Sequence, residues 1–173
     1  MCHRRGASAT RVCRRYLLIG SLLAVDVGLR CGFALYGWDG KLRRYRSQNF
    51  GSRARLRRGV PAVLADVPDL ECLVFEGTGP LAEVWQHEAD RREVDTLQTT
   101  AEVWRPKLLY QRERRSGAQA KHTADGLARR VIEWSGAPRP TSLRHDAAEA
   151  ILVGLWGVLE VGWLAAMPAP LRR

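Results

Sequence analysis

Four carboxylates stand out for where the sequence puts them. Asp26 interrupts an apolar run at 22–27, and Glu76 closes a second one at 71–75. Asp146 and Glu149 stand three apart at the head of an alanine-rich stretch, so a helix there projects both from one face. Each has an ordinary reading. Asp26 can end a strand and accept from turn amides, and an acid pair in a first helical turn suits the helix dipole. Yet a carboxylate in a buried strand is costly without a positive partner. Three separate elements each carry acids to a place where the end of a sheet and a packed helix could converge. Several hard oxygen ligands gathered there can hold two divalent cations about 3.5–4 Å apart. Such a pair activates water on one side of a phosphodiester and stabilises the leaving oxygen on the other. So negative a cluster does not stand without metal or protons.

The elements that must position these acids follow from the apolar pattern. Runs 22–27 and 31–36 flank a turn containing Gly28 and read as a β-hairpin. Gly37–Gly40 is a turn, and 41–50 alternates as a third strand, with Leu42, Tyr45 and Phe50 inward. Residues 60–67 read as the end of a short helix, stopped by Pro68-Asp69. Residues 71–75 read as a strand buried on both faces. Helical spacing covers 81–92, a further strand covers 94–97, and 100–110 reads as a helix with Val103, Trp104 and Leu108 inward. Pro106 belongs in a first turn, which moves that start toward Trp104. Residues 111–121 read as a polar loop, 123–134 as an amphipathic helix, 135–140 as a linker, and 142 or 143 to 164 as the last helix. Trp85, Trp104, Trp134 and Trp156 fall on apolar helical positions and read as core. This order describes a three-layer α/β domain: three antiparallel strands, then parallel ones joined by helices.

The 173 residues suit one domain with a substantial core, and 46% hydrophobic with 27% charged residues is ordinary for a globular chain. The net charge of +10 is not. Residues 1–60 hold 14 Lys and Arg against two acids, whereas 61–173 hold 14 against 16. That asymmetry points to a polyanionic partner, most simply nucleic acid, with a solubilising surface as the plainer reading. Candidate backbone contacts are Arg53, Arg55, Arg57 and Arg58, and a second cluster of Arg105, Lys107, Arg112, Arg114 and Arg115. His145 adjoins the acid pair and could orient a ligand or water. His122 beside Lys121 reads as a solvent or phosphate contact. The four cysteines have no metal or disulfide spacing, which fits a reduced, cytoplasmic compartment. Residues 1–16 read as a basic tail, 17–166 as the domain and 167–173 as a C-terminal tail. Glu160 and three glycines argue that 150–167 is a buried helix rather than a membrane span.

The motifs Ala24-Val25-Asp26-Val27-Gly28, Leu73-Val74-Phe75-Glu76, Gly117-Ala118-Gln119-Ala120-Lys121 and His145-Asp146-Ala147-Ala148-Glu149-Ala150 occur in the order of the RuvC family of Holliday-junction resolvases. The chain resembles that family, within the RNase H-like superfamily, from about residue 22 to 159. The resemblance implies a mixed five-stranded sheet flanked by helices. It also implies a metal-dependent crossover junction endodeoxyribonuclease acting in DNA recombination and repair. Asp26, Glu76, Asp146 and Glu149 would be ligands of two Mg²⁺ or Mn²⁺ ions, and Lys121 would contact the scissile phosphate. It further implies four-way junction DNA as partner, a homodimer, no small-molecule cofactor and a nucleoid-associated, phage or mobile-element setting. The chain departs from the family in Glu149, where Asp is usual, in Val27, where Pro is frequent, and in a loop after Glu76 lacking the expected aromatic. Other readings are a YqgF-type nuclease acting on other DNA or RNA, a fragment of an actin-like ATPase, and a non-catalytic nucleic-acid-binding protein.

Overall fold

The computed structural model describes residues 20–110 and 117–172, with the side chains of 117–121 outside that description. In chain order the elements are β1 (Ser21–Asp26), β2 (Arg30–Gly37), β3 (Leu42–Asn49), α1 (Arg53–Ala65), β4 (Leu70–Glu76), α2 (Pro80–Arg91), β5 (Asp95–Thr99), α3 (Ala101–Leu108), α4 (Gly117–Ser135) and α5 (His145–Glu160). A short 3₁₀ turn, Ala169–Leu171, follows. The strands form one mixed sheet in the order β3-β2-β1-β4-β5. β1 pairs antiparallel with β2, and β2 antiparallel with β3. β4 pairs parallel with β1 and with β5.

Alternation sorts the side chains of the sheet into two cores. Leu23 and Val25 of β1, Phe33 of β2, and Leu73 and Phe75 of β4 pack with α1 and α2, around Leu56, Val60 and Trp85. Leu22 and Ala24, Ala34 and Tyr36, and Val74 face the other way, onto α3, α4 and α5. Strand parity therefore puts Asp26 and Glu76 on the α5 side. α5 lies unusually close to that face. A Cβ on Gly154 would come 2.3 Å from the Tyr36 ring, and one on Gly157 would come 2.8 Å from Val74. The Tyr36 hydroxyl donates to the Ile151 carbonyl at 2.6 Å, fixing the helix along its length.

The hairpin, the third strand and the buried strand at 71–75 form as the apolar pattern predicts. Several boundaries differ. α1 begins at Arg53, capped by the Ser52 side chain accepting from the Arg55 amide, so the arginine run is helical. α3 begins at Ala101 and carries Pro106 inside, not in its first turn, and Val103 is 48% exposed rather than inward. Its packing rests on Trp104 and Leu108 alone. α4 already begins at Gly117, so 117–121 are not loop. α5 stops at Glu160, where the Val161 amide closes the last turn on Gly157. The segment read as a C-terminal tail folds back: Leu171 is buried against the α4–α5 core. Residues 1–16 and 111–116, with Arg112, Arg114 and Arg115, lie outside the described residues. Among the described residues no helix is long and apolar enough to cross a membrane.

Candidate active site

Asp26 and Glu76 end adjacent parallel strands in register, each the Cα partner of the other across the β1–β4 ladder. On the opposite side of β1, the partner of Asp26 is Gly32 of β2. That glycine admits α5: a Cβ there would sit 1.8 Å from the Asp146 carbonyl oxygen. The first turn of α5 therefore rests directly on the sheet beside Asp26. Asp146 and Glu149, three apart on that helix, come with it.

The result is one electrostatic unit. Burial is the main force pushing the Asp26 carboxyl up to about 7, and Glu76, Glu149 and Asp146 add to it by repulsion. Burial likewise raises Glu76, against the hydrogen bond it accepts from Trp104. The Arg105 charge pulls both back down.

Each acid except Asp26 has an in-chain donor. The Trp104 indole N–H donates to Glu76 Oε2 at 2.8 Å. The Ser47 hydroxyl, from β3, donates to Asp146 Oδ2. Arg105 Nη2 donates to Glu149 Oε2 at 2.9 Å. His145 Nε2 lies 3.6 Å from Glu149 Oε1, too far for a hydrogen bond, and that buried oxygen has no hydrogen-bond partner. Among the described residues no hydrogen bond reaches the Asp26 carboxylate, so its reading as an acceptor of turn amides is not met.

The donor set is all carboxylate oxygen, which suits hard divalent cations. Asp26 without a partner and the orphaned Glu149 oxygen are what such ions would satisfy. Among the described residues, however, no three His, Cys, Asp or Glu side chains are grouped to hold a metal as they stand. The physical reason is visible in the bonds above: Glu76, Asp146 and Glu149 are turned toward Trp104, Ser47 and Arg105.

Of the other predicted site residues, Arg53, Arg55, Arg57 and Arg58 are exposed on α1. Their spacing divides them between two faces, Arg53 with Arg57 and Arg55 with Arg58. α1 starts just after Asn49, which pairs with Arg30 at the sheet end where Asp26 lies, but on the opposite face from α5. Arg105 and Lys107 do not form a free basic cluster: Arg105 is bound to Glu149 and Lys107 to Glu160. His122 is exposed on α4, and the Lys121 side chain is outside the described residues. Sequence reasoning missed Trp104, Ser47 and Gly32 as parts of the site. A tryptophan at an apolar helical position and a serine on an alternating strand carry no separate signal. Gly32 carries one, a glycine inside a strand run, which marks a close approach.

The fold is RNase H-like: a mixed five-stranded sheet with helices on both faces. No protein-family model and no curated protein sequence matches the chain. Solved structures do. Thermus thermophilus RuvC in complex with a Holliday junction substrate superposes with a TM-score of 0.59 at 14% identity, over 83% of this chain and 95% of that one. The yeast mitochondrial Holliday junction resolvase Ydc2 gives 0.55 at 10% identity, over 86% of this chain and 84% of its own.

Proposed function

We propose that this chain is a divalent-metal-dependent endonuclease that cleaves branched DNA, with the four-way junction as its leading substrate. The observation that carries the reading is the in-register pair Asp26–Glu76 with the α5 acids brought beside it over Gly32. The shared fold with two Holliday-junction resolvases supports it. Asp26, Glu76, Asp146 and Glu149 would hold two Mg²⁺ or Mn²⁺ ions. Bound there, such ions supply an activated water and neutralise the leaving oxygen.

The chain's own residues do the rest. Trp104 and Ser47 orient Glu76 and Asp146 by hydrogen bonds, as outer partners of a metal site do. Arg53 and Arg55 sit in the first turn of α1, where no acid balances them and where the helix dipole disfavours cations. A phosphate backbone would relieve that clash, with Arg57 and Arg58 one turn on. Lys121, at the start of α4, would meet the scissile phosphate, and His122 the adjacent backbone. A homodimer would set two such sites on two strands of a near-symmetric junction.

The test is cleavage of a labelled four-way junction with and without Mg²⁺, beside linear duplex, flap and structured RNA. Asp26→Asn should lower the junction cleavage rate by more than about 100-fold while keeping junction binding. Undiminished cleavage by that variant refutes the assignment. A second reading, a nucleic-acid-binding protein without catalysis, draws on the lack of a ready-grouped metal site among the described residues. It predicts binding that ignores both divalent metal and the Asp26 substitution, and no cleavage of any substrate. Preference for duplex or RNA over junctions would move the assignment to the YqgF-type nucleases.

A further inference from the structure

Arg105 makes fewer bonds than its surroundings allow. Its Nη2 reaches Glu149 Oε2, but its Nε is buried without a partner, and so is Glu149 Oε1. A guanidinium facing a carboxylate commonly forms two parallel bonds, and here one is made. The pair is also lopsided in exposure: the Glu149 side chain is 4% exposed, that of Arg105 29%. The acid is therefore enclosed while the base keeps a path to solvent. The guanidinium carbon lies 5.2 Å from the centre of the Trp104 ring, and Trp104 in turn holds Glu76. One dipeptide of α3 thus links the β4 acid to the α5 acid. Its positive charge acts on Asp26 and Glu76 as well, against the repulsion from the other carboxylates.

We propose that Arg105 is the built-in counter-cation of the metal-free cluster, and that a divalent ion binding through Glu149 displaces it toward solvent. This rests on the divalent-metal reading above. A guanidinium and a metal ion compete for the same Glu149 carboxylate, Arg105 on Oε2 and the ion at the unpartnered Oε1, and a retained Arg105 charge beside the ion would repel it. Arg105 therefore offsets the charge of Glu149, Asp26 and Glu76 when metal is scarce and sets the metal concentration at which the site loads. The plainer alternative, a structural tie between α3 and α5, makes the opposite forecast for metal affinity. Loosening α3 would weaken metal binding, not strengthen it.

The experiment is calorimetric titration of Mg²⁺ and of Mn²⁺ into the full chain, with Arg105→Gln, Arg105→Lys and Asp26→Asn beside it. Arg105→Gln should bind metal about tenfold more tightly than the unmodified chain. Arg105→Lys, which keeps the charge, should stay close to the unmodified chain, and Asp26→Asn should bind more weakly. In EDTA the melting temperature of Arg105→Gln should fall below that of the unmodified chain, and saturating Mg²⁺ should close the gap. Equal or weaker metal binding by Arg105→Gln overturns the inference and leaves the nuclease reading standing. No metal binding by the unmodified chain removes both. A second measurement needs no variant. In the unmodified chain the Arg105 side-chain N–H resonances, protected by Glu149, should pass into fast solvent exchange as Mg²⁺ is added. Their persistence at saturating Mg²⁺ overturns the inference.

Discussion

Asp26 is the side chain whose circumstances say most about the chemistry. Its carboxyl is pushed up to about 7, by burial first and by Glu76, Glu149 and Asp146 after it. In the unfolded chain it titrates at its ordinary value of 3.8. Between those two values the folded chain holds a proton that the unfolded chain has lost, so stability declines as pH rises across that window. Above about 7 the carboxylate is ionised in both states, and the metal-free chain bears the full repulsion. Melting curves in EDTA should therefore show the midpoint falling from pH 4 to pH 7, and Asp26→Asn should flatten much of that slope. A slope unchanged by the substitution would mean that neither burial nor the neighbouring acids raise the Asp26 carboxyl. The four acids were legible in the sequence because each broke an apolar pattern or shared a helical face. Their in-chain donors were not. Trp104 satisfies the same apolar spacing whether or not its N–H has work to do, and Arg105 looks like surface charge until α3 is placed against α5.

At the scale of the element, Gly32 decides how near α5 comes to the sheet. A Cβ there meets backbone, the Asp146 carbonyl, rather than a side chain able to move aside. Gly32→Ala should push the first turn of α5 off the sheet. We expect a loss of about 1–3 kcal/mol in denaturant unfolding, as for other overpacked positions. Turnover in the proposed nuclease reaction should fall about 100-fold, because Asp146 and Glu149 shift together. Normal stability and turnover in that variant would show that the acids tolerate displacement. The strands, the two inward-facing acids and the mixed sheet could be read in advance, since alternation and buried runs have fixed periods. The helix starts were harder. Around Arg53, Arg55, Arg57 and Arg58 only Leu56 and Val60 mark an apolar face, too little to place the start of α1. Pro106 looked like a helix start, yet α3 begins five residues before it, at Ala101, and carries the proline in its last turn.

Across the whole molecule the positive excess belongs to the first third of the chain, and the described part of it is concentrated on β3 and α1. Replacing Arg53, Arg55, Arg57 and Arg58 together by Gln should lower the salt dependence of junction binding by a log–log slope of up to about 3–4, one unit or less per lost phosphate contact. Fluorescence anisotropy over a salt series measures it, and an unchanged slope would take α1 out of the nucleic-acid interface. The position of α5 in the chain has a temporal consequence. Tyr36 and Ile151, the pair that seats α5, are 115 residues apart. Contacts of that range form late, after the intervening loop has closed. A ribosome that has made β1 to α4 has supplied Asp26 and Glu76 but neither Asp146 nor Glu149. Half of the acids therefore join only once α5 has emerged and docked, and until then the proposed site stays incomplete on the nascent chain.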